Sequence, residues 1–519
     1  MFSPTDTIVA IATAPVRAGI GVVRISGPRA HDVARAILTV PHDLEPRHAT
    51  LTHVRGTAFR VLESRIPNPE PRVPETAAPL SARRIDEVVA TYFPAPHSYT
   101  AEDVVEISAH GSLALLREIV RAAATAGARL AEPGEFTLRA FLNGRLDLVQ
   151  AEAVADLVEA VTPLQARVAF DQLEGTLTRA IGALDRELFD LAARLEASVD
   201  FPDEGYHFVA PGEASATLAH VRDGIDALLA TSGRGRVIRE GRHIAILGKP
   251  NVGKSSLFNE LVGADRAIVA PGPGTTRDML RETIDLDGIR LGLVDTAGIR
   301  ASDDEVEQEG VARARGAASV ADLVVLVLDL SRPLEESDLA LLHETAASRR
   351  VLVINKIDLP PAWEAAGGRG AFHLPAGRTG EAHPRTDGNV PDRTRHLDCH
   401  APNPEAPIPN PGPDAVLLSL KTGEGLDDLR AAMRNALDVG EPLRDAPMVT
   451  NVRHEALLRD ARESIARAIE NLRQAGESAS EELVLADLAI ARRALEEVTG
   501  RRTTDDLLRR IFERFCVGK

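Results

Sequence analysis

The chain has two cysteines in 519 residues, Cys399 and Cys516, too few for a disulfide framework and suited to a reducing compartment. It has no apolar run of about 18 residues, the length that crosses a bilayer. Its start, Met1-Phe2-Ser3-Pro4-Thr5-Asp6, has no basic stretch ahead of an apolar one, so no signal peptide and no membrane partner are expected. The cytoplasm is the expected location. Positive charge is also scarce: 60 Lys and Arg stand against 77 Asp and Glu, a formal net charge of −17. Independent, non-specific nucleic-acid binders neutralise phosphates with a basic face, and this balance argues against that class. An RNA partner would need a local patch or a second protein. One basic stretch, Arg492, Arg493, Arg501, Arg502, Arg509, Arg510, Arg514 and Lys519, is diluted by Glu496, Glu497, Asp505, Asp506 and Glu513 and reads as a solvated helix face.

What the chain does carry is four short motifs in a fixed order. Gly248-Lys249-Pro250-Asn251-Val252-Gly253-Lys254-Ser255-Ser256 follows the apolar run 243–247. A strand therefore feeds a turn whose backbone N–H groups, with the following helix N-terminus, can cradle phosphates. Lys254 would reach the β- and γ-phosphates, and Ser255 with Thr276 of the Thr275-Thr276 pair would place hydroxyls on a Mg²⁺. Asp295 of Asp295-Thr296-Ala297-Gly298 follows strand-like 289–294 and suits that ion's outer shell.

The base is read from Asn355-Lys356-Ile357-Asp358, directly after the buried-strand run 351–354. An Asp carboxylate accepts the two adjacent hydrogens of guanine, whereas adenine presents no such pair and would leave a carboxylate unpaired at about 1–3 kcal/mol. GTP is the expected nucleotide, with the backbone of Ser419, Leu420 and Lys421 supporting the ring. Ras-type GTPases place a Gln after the third motif to orient the attacking water, but here that residue is Ile299. Hydrolysis must then recruit another group. Glu307, in the acidic run 303–307, is one candidate, and a solvated acidic loop is the other reading of that run.

Around the motifs, 519 residues suffice for roughly three domains. Residues 1–143 alternate strand-like runs (8–12, 21–25, 87–92, 104–107) with a helical 30–38, so an α+β domain is expected, with an exposed proline-rich loop at 67–79. From 148 to 238 the pattern is wholly helical, with Ala155, Leu157, Val158 and Val161 on one stripe and Leu184, Leu188, Leu191 and Leu195 on another. Helical texture returns at 454–474 and 480–498, and Thr504 can cap a last helix with the stripe Leu507, Leu508, Ile511, Phe512 and Phe515. These runs predict an all-α domain in two parts, 144–240 and 441–519, interrupted by a Ras-like α/β P-loop domain at 241–440; two separate helical domains are the alternative. Within the insert, 360–413 holds eleven of the chain's 33 prolines and reads as a disordered surface insertion.

At these residues the chain resembles a known family, the tRNA modification GTPases called MnmE or TrmE, along nearly its whole length. The likeness extends to Asp6-Thr7-Ile8-Val9-Ala10, Val23-Arg24-Ile25-Ser26-Gly27, Tyr99-Thr100-Ala101-Glu102-Asp103-Val104-Val105-Glu106, Pro133-Gly134-Glu135-Phe136 and Ala140-Phe141-Leu142-Asn143. The ending Phe515-Cys516-Val517-Gly518-Lys519 is the most specific part.

The resemblance implies a cytoplasmic homodimer whose 1–143 domain dimerises and binds a formyl or methylene tetrahydrofolate. It further implies a flavoprotein partner that carries the FAD, and a carboxymethylaminomethyl-type group placed on the wobble uridine of certain tRNAs. The family's folate site maps to Arg24, Glu106, Lys519 and Arg145, which stands where a Lys is also seen and keeps the charge with a different geometry. Without the resemblance these four would read as ordinary surface ion pairs. The family pairs two nucleotide domains around K⁺, for which the resemblance offers Asn251 and carbonyls of Ala270, Gly272 and Thr275 in the loop Ala270-Pro271-Gly272-Pro273-Gly274-Thr275. It makes Glu307 the water-orienting acid and puts Cys516, a candidate reactive thiol, beside the folate pocket. A ribosome-assembly switch and a helical scaffold with a vestigial nucleotide site are the competing function classes.

Overall fold

A computed structural model describes residues 5–56, 84–200, 209–264, 281–294, 321–363, 415–437, 447–474 and 481–518. They fall into two compact units: 1–159 with 167–230 and 446–519, and 160–166 with 231–445.

In the first unit, β1 (Ile8–Ile11), β2 (Ile20–Ser26), β3 (Thr50–Arg55), β4 (Arg84–Phe93), β5 (Val104–His110) and β6 (Arg129–Leu130) form one sheet in the order β3-β4-β5-β2-β1-β6. Only β1 and β6 run parallel; the other pairs are antiparallel. Helices α1 (Ala30–Ile37) and α2 (Leu113–Thr125) share a core with the sheet, in which Val33, Ile37, Leu116 and Ile119 meet Val23, Ile25, Val105 and Ile107. Successive strand side chains point to opposite faces, so this inward set turns the intervening Arg24 and Glu106 to the other face. There they are direct cross-strand partners.

The same unit holds α3 (Glu135–Leu142), α4 (Leu148–Glu159), α5 (Pro163–Leu173, whose first turn belongs to the second unit), α6 (Thr176–Asp200) and α7 (Pro211–Leu229). Leu184, Leu188, Leu191 and Leu195 of α6 are buried as their spacing predicts, packed with residues of α7, α12 (Val452–Gln474) and α13 (Glu481–Thr499) in one hydrophobic core. The expected stripe on α4 is corrected: Val158 is exposed, and Leu148, Val149, Ala151 and Val154 are buried instead. Val149 joins the four-helix core, whereas Leu148, Ala151 and Val154 join a second core with α14 (Asp505–Phe512), so α4 buries two sides of its first half. Thr504 caps α14 through its hydroxyl, which accepts the Leu507 N–H at 3.4 Å, and Leu508, Phe512 and Phe515 are buried. Of the basic C-terminal stretch, Arg492 and Arg501 pair with Asp185, Arg502 with Glu496 and Arg493 with Glu497.

In the second unit, α8 (Ser232–Glu240) leads into a sheet of β7 (Arg242–Leu247), β8 (Arg281–Leu286), β9 (Ile289–Val294), β10 (Leu323–Asp329), β11 (Arg350–Asn355) and β12 (Ala415–Leu418). The order is β12-β11-β10-β7-β9-β8, parallel except for β8. Val325 and Val327 of β10 face a core shared with α9 (Lys254–Ala264) and α11 (Leu426–Ala436), whereas Val324, Leu326 and Leu328 face one shared with α10 (Glu336–Glu344). A sheet apolar on both faces is what crossover helices on both sides require. It also leaves the carboxyl ends of β7, β10 and β11 as the place where a ligand can meet backbone.

Candidate functional site

The loop between β7 and α9 turns back on itself through three residues at positive φ: Gly248 at +144°, Asn251 at +64° and Gly253 at +110°. Neither glycine position tolerates a side chain. A Cβ on Gly248 would lie 2.4 Å from the Val327 carbonyl oxygen, and one on Gly253 would lie 2.2 Å from Asn355 Nδ2. The loop is thus pressed against the ends of β10 and β11, with backbone as its lining. Val252 is buried beneath it, whereas Asn251, Ser255 and Ser256 are exposed. Lys254 Nζ donates to the Lys249 carbonyl at 2.7 Å, which keeps the ammonium at the loop.

At the carboxyl end of β11, Asn355 is buried and its side chain ties two loops together. Its Nδ2 donates to the Val252 carbonyl at 2.8 Å, and its Oδ1 accepts the Leu420 N–H at 3.4 Å. Lys356 follows at φ +67° with its ammonium on Asp329 at 2.6 Å. Burial pushes the Asp329 carboxyl up, but Lys356 and Ser331 outweigh it and hold the group below the usual carboxylate range. Asp358 is exposed, and its Oδ1 accepts from the buried Ser419 hydroxyl at 2.8 Å. Ile357 N–H reaches the Leu418 carbonyl at 3.3 Å, so the two segments meet side by side. Asn355 therefore positions the loops, and Asp358 is the carboxylate presented outward. Leu420 is half-buried and Lys421 exposed in the same turn.

A second cluster lies on the other face of the first unit's sheet. Arg24 pairs with Glu106 at 2.8 Å, and its guanidinium lies over the rings of Tyr99 (4.8 Å) and Phe136 (5.6 Å). Arg24 Nη1 also donates to the Gly518 carbonyl at 3.4 Å. The chain's last residues reach this point because the Cys516 carbonyl accepts the Gly134 N–H at 3.4 Å and Gly518, at φ +100°, lies against the Ile11 backbone. Cys516 is exposed. Arg145 is exposed after α3, and among the described residues no side-chain hydrogen bond joins it to the Arg24–Glu106 pair.

The same unit holds a partly buried ion network. Arg139 pairs with Asp6 (2.6 Å), Glu135 (3.1 Å) and Glu102 (3.2 Å), and Arg129 pairs with Asp6 (2.7 Å) and Glu135 (2.6 Å). Burial pushes the Asp6 carboxyl up, but the two guanidiniums hold it below its ordinary value.

With this geometry in view, a family model described as the MnmE helical domain matches residues 148–516, and one described as the GTP-binding protein TrmE N-terminus matches 7–145. A tRNA modification GTPase MnmE from Koribacter versatilis (strain Ellin345) is 40% identical over 515 residues, covering 99% of each chain. This chain belongs to the MnmE/TrmE family of tRNA modification GTPases. Another MnmE, from Moorella thermoacetica, is 39% identical over 517 residues, again covering 99% of each chain. Among solved structures, the G domain of the T. maritima FeoB iron transporter matches 38% of this chain and 98% of its own at 24% identity, with a TM-score of 0.21.

For this MnmE-family chain, the structure brings Asn251, Val252, Gly253, Lys254, Asn355, Asp358, Ser419 and Leu420 into one connected set of loops. Ala270, Pro271, Gly272, Pro273, Gly274, Thr275, Thr276, Asp295, Thr296, Ala297, Gly298, Glu307 and Lys519 lie outside the described residues, as do 67–79 and 364–413. Sequence reasoning missed Tyr99 and Phe136 as partners of Arg24. Both sit inside motif strings that carry the MnmE likeness, but no local pattern says that an aromatic ring will lie over an arginine of another strand. Among the described residues no helix is long and apolar enough to cross a membrane.

Proposed function

We propose that this chain binds and hydrolyses GTP and uses the cycle to modify the wobble uridine of certain tRNAs. The observation that carries the reading is the Asn355 side chain, which joins the phosphate loop at Val252 to the base-reading turn at Leu420, beside the Ser419–Asp358 contact. A phosphate cradle and a guanine-reading carboxylate are thereby parts of one site. Ser255 and Thr276 would hold the Mg²⁺ on the nucleotide's phosphates. Asn251 and the carbonyls of Ala270, Gly272 and Thr275 are the proposed K⁺ ligands, and the cation supplies the positive charge that an arginine finger supplies elsewhere. Asn251 is exposed at the loop's crest, where a second nucleotide domain can approach it. Glu307 orients the attacking water in place of the glutamine that Ile299 replaces.

The Arg24 cluster suits a folate: a guanidinium over two aromatic rings, a carboxylate beside it and the Gly518 carbonyl against it. Arg24, Glu106, Arg145 and Lys519 would hold a formyl or methylene tetrahydrofolate, which supplies the one-carbon unit. Cys516 is the exposed thiol next to that place. We further propose a cytoplasmic homodimer that works with an FAD-carrying partner protein. The listener for the whole reading is the tRNA itself: in cells lacking the protein, mass spectrometry of wobble nucleosides is expected to show loss of carboxymethylaminomethyl-type uridines. Unchanged nucleosides would overturn it. In vitro, GTP hydrolysis is expected to be faster in K⁺ than in Na⁺, with the difference lost in Asn251→Ala; equal rates in both salts remove the cation from the mechanism.

A further inference from the structure

We infer that Lys249 is a positioning residue for the nucleotide reaction: its ion pair with Glu335 and Asp338, at the start of α10, holds the outer limb of the phosphate loop. The inference rests on the nucleotide reading above. Lys249 Nζ lies 2.7 Å from Glu335 Oε2 and 2.9 Å from Asp338 Oδ2. These acids are themselves fixed. Glu335 is the N-cap of α10 and shares a reciprocal capping box with Asp338, whose Oδ2 accepts the Glu335 N–H at 2.9 Å. Asp338 is buried and Lys249 mostly so, which makes that contact less screened by solvent than a surface pair, whereas Glu335 is exposed. Burial pushes the Lys249 ammonium down, but the two carboxylates outweigh it and hold the group above its ordinary value.

The consequence for the loop follows from its backbone. The Lys249 carbonyl is the acceptor for Lys254 Nζ, and two residues further on Asn251 takes a left-handed conformation, which few residues with a side chain adopt and Asn does more readily than most. Asn355 holds the loop on one side of Asn251, through Val252, and the Lys249 ion pair holds it on the other. The two lysines of the motif thus have separate tasks. Lys254 serves the phosphates, and Lys249, with its ammonium on two carboxylates, fixes the shape in which Lys254 and Asn251 are offered.

The test uses the full chain and four variants: Lys249→Met, Lys249→Arg, Asp338→Asn and the Lys249→Met/Asp338→Asn double. Steady-state GTP hydrolysis gives kcat, and a titration with mant-GDP gives affinity. Lys249→Met is expected to lower kcat about tenfold while mant-GDP affinity moves less than about threefold. Lys249→Arg should recover most of the rate. Asp338→Asn keeps an acceptor for the cap but removes the charge, so it should slow hydrolysis too, and the double variant should be no slower than Lys249→Met because Asp338→Asn acts through a contact that Lys249→Met already removes. Full rate in Lys249→Met, or effects that multiply in the double variant, would overturn the inference. So would a slow, less thermostable Lys249→Met beside an Asp338→Asn of full rate, since that marks a folding effect. A wild-type chain that fails to bind mant-GDP would overturn the nucleotide reading instead.

Discussion

In the second unit, six consecutive residues, 248–253, shape a loop lined by backbone; in the first, the Arg24 guanidinium is held by groups from β5, the turn at Tyr99, α3 and Gly518. The loop depends on what is missing from it, namely two Cβ atoms that the ends of β10 and β11 leave no room for. The Arg24 cluster depends on what is brought to it across nearly 500 residues of sequence. One site is therefore a property of a short segment and its sheet. The other is a property of the folded unit, and it exists only while α14 and the tail stay docked.

Conditions that loosen the first unit should sharpen that contrast most. Buried Glu152 pairs with His454 (2.7 Å) and Arg453 (3.2 Å) in the helical region. Burial pushes its carboxyl up, but those cations outweigh burial and hold it at about 2. Its folded value lies below its unfolded one, so its contribution is fully present above about pH 4.5 and is lost as pH falls towards 2. Calorimetric or ellipticity melts should show a loss of stability across that window that is smaller in Glu152→Gln by on the order of 3 kcal/mol. Wild type and Glu152→Gln losing the same stability from pH 5 to pH 2 would show that the cluster does not support the fold.

Single glycines should then separate the two sites. Gly253→Ala adds a Cβ 2.2 Å from Asn355 Nδ2 at a φ of +110° and is expected to weaken GTP binding more than about a hundredfold by calorimetry, with folate binding unchanged. Gly518→Ala is the converse. Its Cβ would lie 2.1 Å from the Ile11 carbonyl oxygen, so the tail should lift and tetrahydrofolate affinity should fall about tenfold, with GTP binding unchanged. Variants that damage both sites equally would break the comparison. The smallest effect should come from Tyr99→Phe, which keeps the ring over Arg24 but removes the 2.8 Å contact with the Thr137 hydroxyl; a stability loss of about 1 kcal/mol or less is expected by chemical denaturation.

Much of the second unit was legible in advance because its signals are local. The apolar runs before the first and fourth motifs are β7 and β11, and the run 289–294 is β9. In the first unit β1, β2, β4 and β5 coincide with expected runs, but β3 and the two-residue β6 were not read, nor was α2. A short edge strand has too few residues to show a period. On α4 the pattern pointed to Val158, whereas packing selected Leu148, Val149, Ala151 and Val154, because a helix wedged between two cores has no single apolar stripe.

By itself, then, the order of residues determined the glycine-rich loop after β7, the carboxylate at position 358 that we propose reads guanine, and the amphipathic helices, since each is written within one or two turns of chain. Only the tertiary structure decided that Asn355 clamps Val252 and Leu420, that Lys249 is occupied by the cap of α10, and that Gly518 lies beside Arg24. Those are contacts between segments far apart in sequence, set by which faces pack together, and no local periodicity encodes them.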